Sequence, residues 1–245
     1  MRSLAAWLAL CSASAWGADL SLGVGFNYSE GDYGTATTTS ILSVPVTARY
    51  ETARWIFKVT VPYVEVSGDT AVVPGIGRVD RPRTDGTEAG LGDIVASATY
   101  GLYYDKASKL GVDVTGKVKF GTADEGLGTG EEDVSLLVEP FRTFDRVTVF
   151  GSLGYHVLGA SALVAVNDVW SASLGASYRV DDRDSVGVAY DWRERVSARS
   201  GAVSELTAFW ARKLDRQWKA QVYVLKGFST GSPDWGIGAS VAYAF

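Results

Sequence analysis

Period-two alternation over almost the whole length constrains this chain more than any other feature. It begins at Leu20-Ser21-Leu22-Gly23-Val24-Gly25-Phe26-Asn27-Tyr28, where apolar residues hold every even position, and it returns in Trp235 to Phe245. Helix-period patterns are nearly absent, so the segments read as strands. Ten more lie between these two, at 40–50, 54–65, 92–103, 109–120, 133–142, 146–157, 168–179, 185–195, 203–212 and 217–228. Soluble strands average about 5–6 residues, whereas a tilted strand crossing a hydrocarbon core needs about 9–11. These segments have the longer length. The expected fold is all-β: a transmembrane antiparallel β-barrel of about twelve strands.

The connections fall into two alternating kinds. Glu51-Thr52-Ala53, Tyr104 to Ser108, Thr143 to Asp145, Val180 to Asp184 and Lys213 to Arg216 are tight polar turns. Longer links run from Ser29 to Thr39, Val66 to Leu91, Gly121 to Glu132, Leu158 to Asn167, Arg195 to Ala202 and Ser229 to Asp234. Short turns on one rim and long loops on the other match a barrel with periplasmic turns and extracellular loops.

Aromatic residues on the expected lipid-facing parity cluster at strand ends. Tyr50, Trp55, Tyr178, Trp210, Trp218 and Phe245 lie beside short turns or the terminus. Tyr28, Tyr63, Trp170, Trp192 and Trp235, with Phe120 and Tyr155, lie beside long loops. Amphipathic rings favour the headgroup level, so two membrane girdles are expected. A terminal aromatic such as Phe245 also resembles the signal read by the barrel-assembly machinery. Its removal is therefore expected to hurt insertion more than transport.

The other parity carries Arg49, Lys58, Asp93, Asp113, Lys117, Lys119, Glu139, His156, Asp191, Arg193, Glu205, Lys219 and Gln221. An Arg or Lys facing lipid at mid-depth costs about 2–4 kcal/mol, so these groups are expected to line the lumen. They would hold the interior together by cross-pairing and also provide a polar path. Lys117, Lys119, Asp191 and Arg193 are expected to reach across and limit passage.

Composition fits this architecture without proving it. Of the residues, 47% are hydrophobic and 21% charged, as a barrel averaging lipid-facing and lumen-facing positions would be. A net charge of −5 opposes nucleic-acid binding, which needs a basic face. The start of the chain, with Arg2, the apolar run Leu4 to Leu10 and Ala15-Trp16-Gly17, reads as a signal peptide over 1–17. The barrel then occupies 18–245, placing the mature protein in the outer membrane of a Gram-negative bacterium. Cys11 leaves with the signal, so no thiol chemistry is expected.

Val44-Pro45-Val46-Thr47-Ala48-Arg49-Tyr50, followed by Val59-Thr60-Val61-Pro62-Tyr63-Val64, a long loop and Gly90-Leu91-Gly92-Asp93-Ile94, resembles a known outer-membrane family. Tyr190-Asp191-Trp192-Arg193 and Pro233-Asp234-Trp235-Gly236-Ile237-Gly238 carry the same likeness. The family is that of the MetA pathway of phenol degradation, often called simply transporter. The resemblance implies a barrel that passes small organic molecules, aromatic ones among them, and it brings no catalytic residues.

Chemistry beyond transport finds little support. His156 is the only histidine, and Ser152, four residues earlier, lies about 13 Å away along an extended strand. That is too far for a nucleophile and its base. Asp124, Glu125, Glu131, Glu132 and Asp133 share one loop without fixed ligand spacing, so no metal is expected. Gly90-x-Gly92 precedes a strand instead of a helix and is not a nucleotide loop. The expected function is passive, cofactor-free passage of small hydrophobic or aromatic solutes. The alternatives are a sealed structural or adhesive barrel and a lipid-acting enzyme. The long link from Val66 to Leu91 is expected to fold over or into the mouth as a constriction.

Overall fold

The computed structural model describes residues 19–69, 72–78, 85–160 and 166–245. The expected signal peptide falls outside them. Among the described residues fifteen strands form in chain order: β1 (Asp19–Gly31), β2 (Thr39–Glu51), β3 (Trp55–Asp69), β4 (Val72–Val73), β5 (Gly77–Arg78), β6 (Asp85–Leu91), β7 (Val95–Asp105), β8 (Leu110–Lys119), β9 (Asp133–Phe144), β10 (Val147–Val157), β11 (Val169–Arg179), β12 (Asp184–Arg193), β13 (Val203–Lys213), β14 (Trp218–Gly227) and β15 (Trp235–Ala244).

Every strand of the wall pairs antiparallel with its chain neighbour, and β1 pairs with β15 from Ser21↔Ala244 to Glu30↔Trp235. Setting aside β4, β5 and β6, the wall is a closed barrel of twelve strands. Closure removes both edges, which is what a wall surrounded by hydrocarbon requires. The last turn of the seam is fixed by Phe245, whose amide donates to the Leu20 carbonyl at 2.9 Å. Ten residues rising about 3.3 Å each at a tilt of about 40° span roughly 25 Å, the height of an apolar membrane band. All twelve wall strands contain at least ten residues.

The alternation read from the sequence is the alternation of exposure. In β9, Val134, Leu136 and Val138 are exposed, while Asp133, Ser135 and Leu137 between them are buried. The same holds in β1, where Leu20, Leu22, Val24 and Phe26 face outward. Rings at the strand ends join in pairs across neighbouring strands: Tyr28 with Trp235, Trp55 with Tyr100, Tyr155 with Trp170, and Trp218 with Tyr243. Tyr50, Tyr63, Tyr178, Trp192, Trp210 and Phe245 are likewise exposed on this face.

Two parts of the sequence reading need correction. The stretch from Val66 to Leu91 is not wholly a loop: β3 continues to position 69, and β6 returns antiparallel along it from Thr87↔Ser67 to Leu91↔Tyr63. A hairpin thus rises beyond the wall, because alternation there is too weak in glycine-rich 85–91 to be read as a strand. The strand expected at 92–103 begins only at Val95, since Gly92, Asp93 and Ile94 break from the ladder between β6 and β7. In β7 a bulge between Gly101 and Tyr103 shifts the register. Tyr104 therefore stands opposite Gly111 and turns to the enclosed face.

Candidate functional site

The enclosed face changes character along its length. At the long-loop end it is packed: Thr39, Ile41 and Ser43 of β2, and Val203, Glu205 and Thr207 of β13, are all buried. Toward the short turns the same parity opens. Pro45, Thr47 and Arg49 in β2, Lys58 and Thr60 in β3, and Glu139, Phe141 and Thr143 in β9 are only partly covered. The lumen is closed at one end and hollow at the other.

The short hairpin β4–β5 closes the packed end. Its backbone pairs Val72 with Arg78 and Val73 with Gly77 around a turn in which Gly75 has φ +79°. Successive strand residues point to opposite sides, so Val72 and Val73 pack against different walls. Val72 joins Tyr33, Ile41, Val64, Val66 and Leu127. Val73 and Ile76 join Val169 and Val196, with Leu158 and Val166 at the margin. Burial in the first cluster pushes the Tyr33 phenol above its ordinary range. Because β2–β3 and β11 stand on opposite sides of the ring, the hairpin bridges the mouth.

Polar contacts lock the bridge. Arg193, half the barrel away from β2, donates from Nη1 to the Gly75 carbonyl at 2.6 Å and from Nη2 to the Ile76 carbonyl at 3.1 Å. Ser197 Oγ donates to the Arg78 carbonyl at 3.0 Å. The far side is tied by Arg78 Nη1 to the Gly34 carbonyl at 3.4 Å.

Lys119 is used differently from the expectation that it reaches across the lumen. Its Nζ lies 3.0 Å from Asp93 and 3.4 Å from Asp133, and it donates to Thr129 Oγ1 at 3.2 Å and the Glu131 carbonyl at 2.8 Å. Four acceptors hold it at the rim, where it organises the 120–132 loop. Asp93 completes the knot by accepting from the Ala123 amide at 3.0 Å, and Asp133 accepts from the Gly159 amide at 3.0 Å. Arg193 likewise grips the hairpin and does not point down the lumen.

His156 sits between two hydroxyls, with Ser135 Oγ 2.8 Å from Nδ1 and Ser171 Oγ 2.8 Å from Nε2. Ser152 is paired with Ser173 at 2.7 Å instead. Asp191 shares the enclosed parity and stands opposite Glu205 and Ser173 in the ladder. Lys117 stands opposite Ser97 and Ser135, and Lys219 opposite Lys213. In the open half Arg49 pairs with Glu51 at 2.6 Å. Asp113 and Glu139 are direct cross-strand neighbours, and Thr115 Oγ1 donates to Glu139.

One feature of the enclosed face escapes a reading built on charge. Phe141, Phe150, Phe209 and Tyr223 all point inward, and each ring lies over a glycine of the adjacent strand. A Cβ at Gly111, Gly175, Gly187 or Gly238 would collide with the ring of Phe141, Phe150, Phe209 or Tyr223, respectively. The rings therefore lie flat against the neighbouring strand. The signal was present in the sequence as aromatic residues on the polar parity, opposite glycines in the next strand.

No curated protein sequence matches the chain. Among solved structures, the KdgM porin is similar with a TM-score of 0.56 at 9% identity, over 91% of this chain and 99% of that one. The Pseudomonas putida toluene transporter TodX gives 0.44 at 12% identity, over 93% of this chain and 89% of that one. At 9% identity the likeness to the KdgM porin is one of fold, and it agrees with the closed wall described above. A family model covers residues 17–245, and the chain belongs to that family, described as "Putative MetA-pathway of phenol degradation".

Proposed function

We propose that this protein is a passive outer-membrane channel for small hydrophobic or aromatic solutes, with its long loops outside and its short turns in the periplasm. The observation that carries the reading is a lumen hollow at the short-turn end and closed at the other by one small hairpin. A wall with balanced charge, from Lys58, Asp113, Lys117, Glu139, Asp191 and Lys219, keeps the interior wet. The inward aromatic rings and the family's association with phenol degradation support an aromatic cargo. Passage needs no cofactor, since the solute runs down its gradient.

The closure is weak enough to open. Burying Val72, Val73 and Ile76 contributes about 1.5–3 kcal/mol each, and the Arg193 bonds add about 1.5–3 kcal/mol each. Ordering the backbone of 72–78 costs about 1–2 kcal/mol per residue, which offsets nearly all of it. Replacing 72–78 with a Gly-Ser bridge leaves β6 in place and tests the reading in planar bilayers. Single-channel conductance should rise several-fold over wild type. A barrel that stays silent in both forms would be a sealed surface protein, the second reading, which the packed long-loop half favours.

A further inference from the structure

We infer that the open half of the lumen contains a binding site for a single aromatic ring carrying an N–H or O–H donor. This deepens the aromatic-cargo reading above and rests on it. The site is an aromatic platform with carboxylates at its upper edge.

Phe141 and Phe150 are direct cross-strand partners on the enclosed face, both partly exposed. Seated over Gly111 and Gly175, they turn their faces toward the axis. The β7 bulge adds a third ring: Tyr104 stacks on Phe141 with centroids 6.3 Å apart and planes 25° from parallel. Tyr104 is 56% exposed, at the open rim. Without the bulge, its side chain would face lipid. Tyr104 of β7 and Phe141 of β9 thus form one continuous apolar surface over β8, in a space that water enters, while the Phe150 ring lies apart over β11. Offset or tilted ring contacts contribute beyond simple burial, which favours a flat aromatic solute over an aliphatic one.

Polarity at the edge narrows the class. Glu139 lies two residues above Phe141 and Asp113 two above Gly111, so both carboxylates stand about 7 Å up the wall from the rings. They oppose each other directly across the ladder, an arrangement of like charges that is unfavourable without a partner. Glu139 already accepts from Thr115 and lies within electrostatic reach of Lys58. No hydrogen bond or ion pair joins Asp113 to another described residue. Asp113 is the acceptor left for a solute, and an ionised carboxylate can only accept. A ring on the platform would therefore point a hydroxyl or amino group at Asp113.

Ligand-observed NMR on the full chain in detergent micelles tests this with phenol and aniline as probes. Toluene serves as a ring without a donor, and cyclohexanol as a donor without an aromatic ring. Phenol and aniline should bind at least several-fold more tightly than either control. Phe141→Leu should weaken phenol roughly three- to tenfold while leaving cyclohexanol unchanged. Asp113→Ala should weaken phenol and aniline and leave toluene unchanged. Tyr104→Leu, at the exposed rim, provides a variant that folds even if Phe141→Leu does not. Equal phenol binding in wild type, Tyr104→Leu and Asp113→Ala overturns the site. Because binding in micelles needs no conduction, a silent channel would refute the transport reading alone.

Discussion

The two halves of the lumen are built by the same strands and the same alternation, yet they differ in almost every physical respect. At the long-loop end, inward side chains such as Thr39, Val64 and Thr207 are fully or nearly fully buried under a segment that crosses the axis. At the short-turn end, inward residues of the same strands face open space. Alternation determines which side chains point inward; what meets them there depends on a segment outside the wall. The packed half behaves like a protein core. The hollow half behaves like a surface folded inward.

Breaking the packed half should have the largest effect. Arg193→Met keeps the length of the side chain but removes both donated bonds to the hairpin, each worth about 1.5–3 kcal/mol. With closure nearly balanced, the fraction of time the channel is open should rise at least tenfold. The measurement is open probability in planar bilayers. An open probability equal to that of wild type would mean that the apolar contacts of Val72, Val73 and Ile76 hold the mouth without help.

The hollow half depends on rings lying flat, which Gly175→Ala probes. The added Cβ must displace the Phe150 ring, and such overpacking costs about 1–3 kcal/mol. In a Phe150→Ala background the same change should cost little, so a double-mutant cycle on urea unfolding in detergent should give strong coupling. Additive effects would show that the glycine is required for some other reason.

These features were unequally legible in the sequence. The wall was readable because long strands repeat one rule: an expected strand such as 133–142 differs from β9 by two residues at one end. The outward exposure of aromatics such as Tyr50, Trp55 and Trp218 followed from the same parity. Tyr104 did not, because one bulge reverses the parity and nothing local in Gly101-Leu102-Tyr103-Tyr104 announces it. The mouth was legible only as a long link. Residues Val72-Val73 are too few to show a period, and their partners lie on opposite walls, from Tyr33 to Val196 in the chain. Lys119 was misjudged for a related reason, since its four acceptors come from two stretches far apart in the chain, Asp93 and 129–133.

A smaller effect separates the halves by how they satisfy hydroxyl groups. Thr207 is fully buried in the packed half, and its Oγ1 has no hydrogen-bond partner among the described residues. Thr47 in the hollow half shares a 3.0 Å hydrogen bond with Thr60. Thr207→Val should therefore stabilise the barrel by about 1 kcal/mol, while Thr47→Val should destabilise it by about 0.5–1.5 kcal/mol. Urea midpoints at equal m-values would show opposite signs. Two shifts of the same sign would erase the distinction between core-like and surface-like lumen.

The smallest expected effect lies at the short turns that border the hollow half. Asp181 Oδ1 accepts from the amides of Arg183 and Asp184, both at 2.7 Å. Asp215 Oδ1 accepts from those of Gln217 at 2.8 Å and Trp218 at 2.7 Å. Backbone amides that favour the charged form hold both carboxyls below their ordinary value of 3.8. A depressed folded value means the turn contribution is complete above the unfolded value and is lost as pH falls through the folded one. Both groups are fully exposed, so water screens the effect and the change in unfolding should be slight. Carboxylate NMR titration is the sharper measurement, with both midpoints expected below 3.8. Midpoints at or above that value would mean the turns open in solution. The hollow end would then have a looser rim than the packed end, where Lys119 ties the loops together.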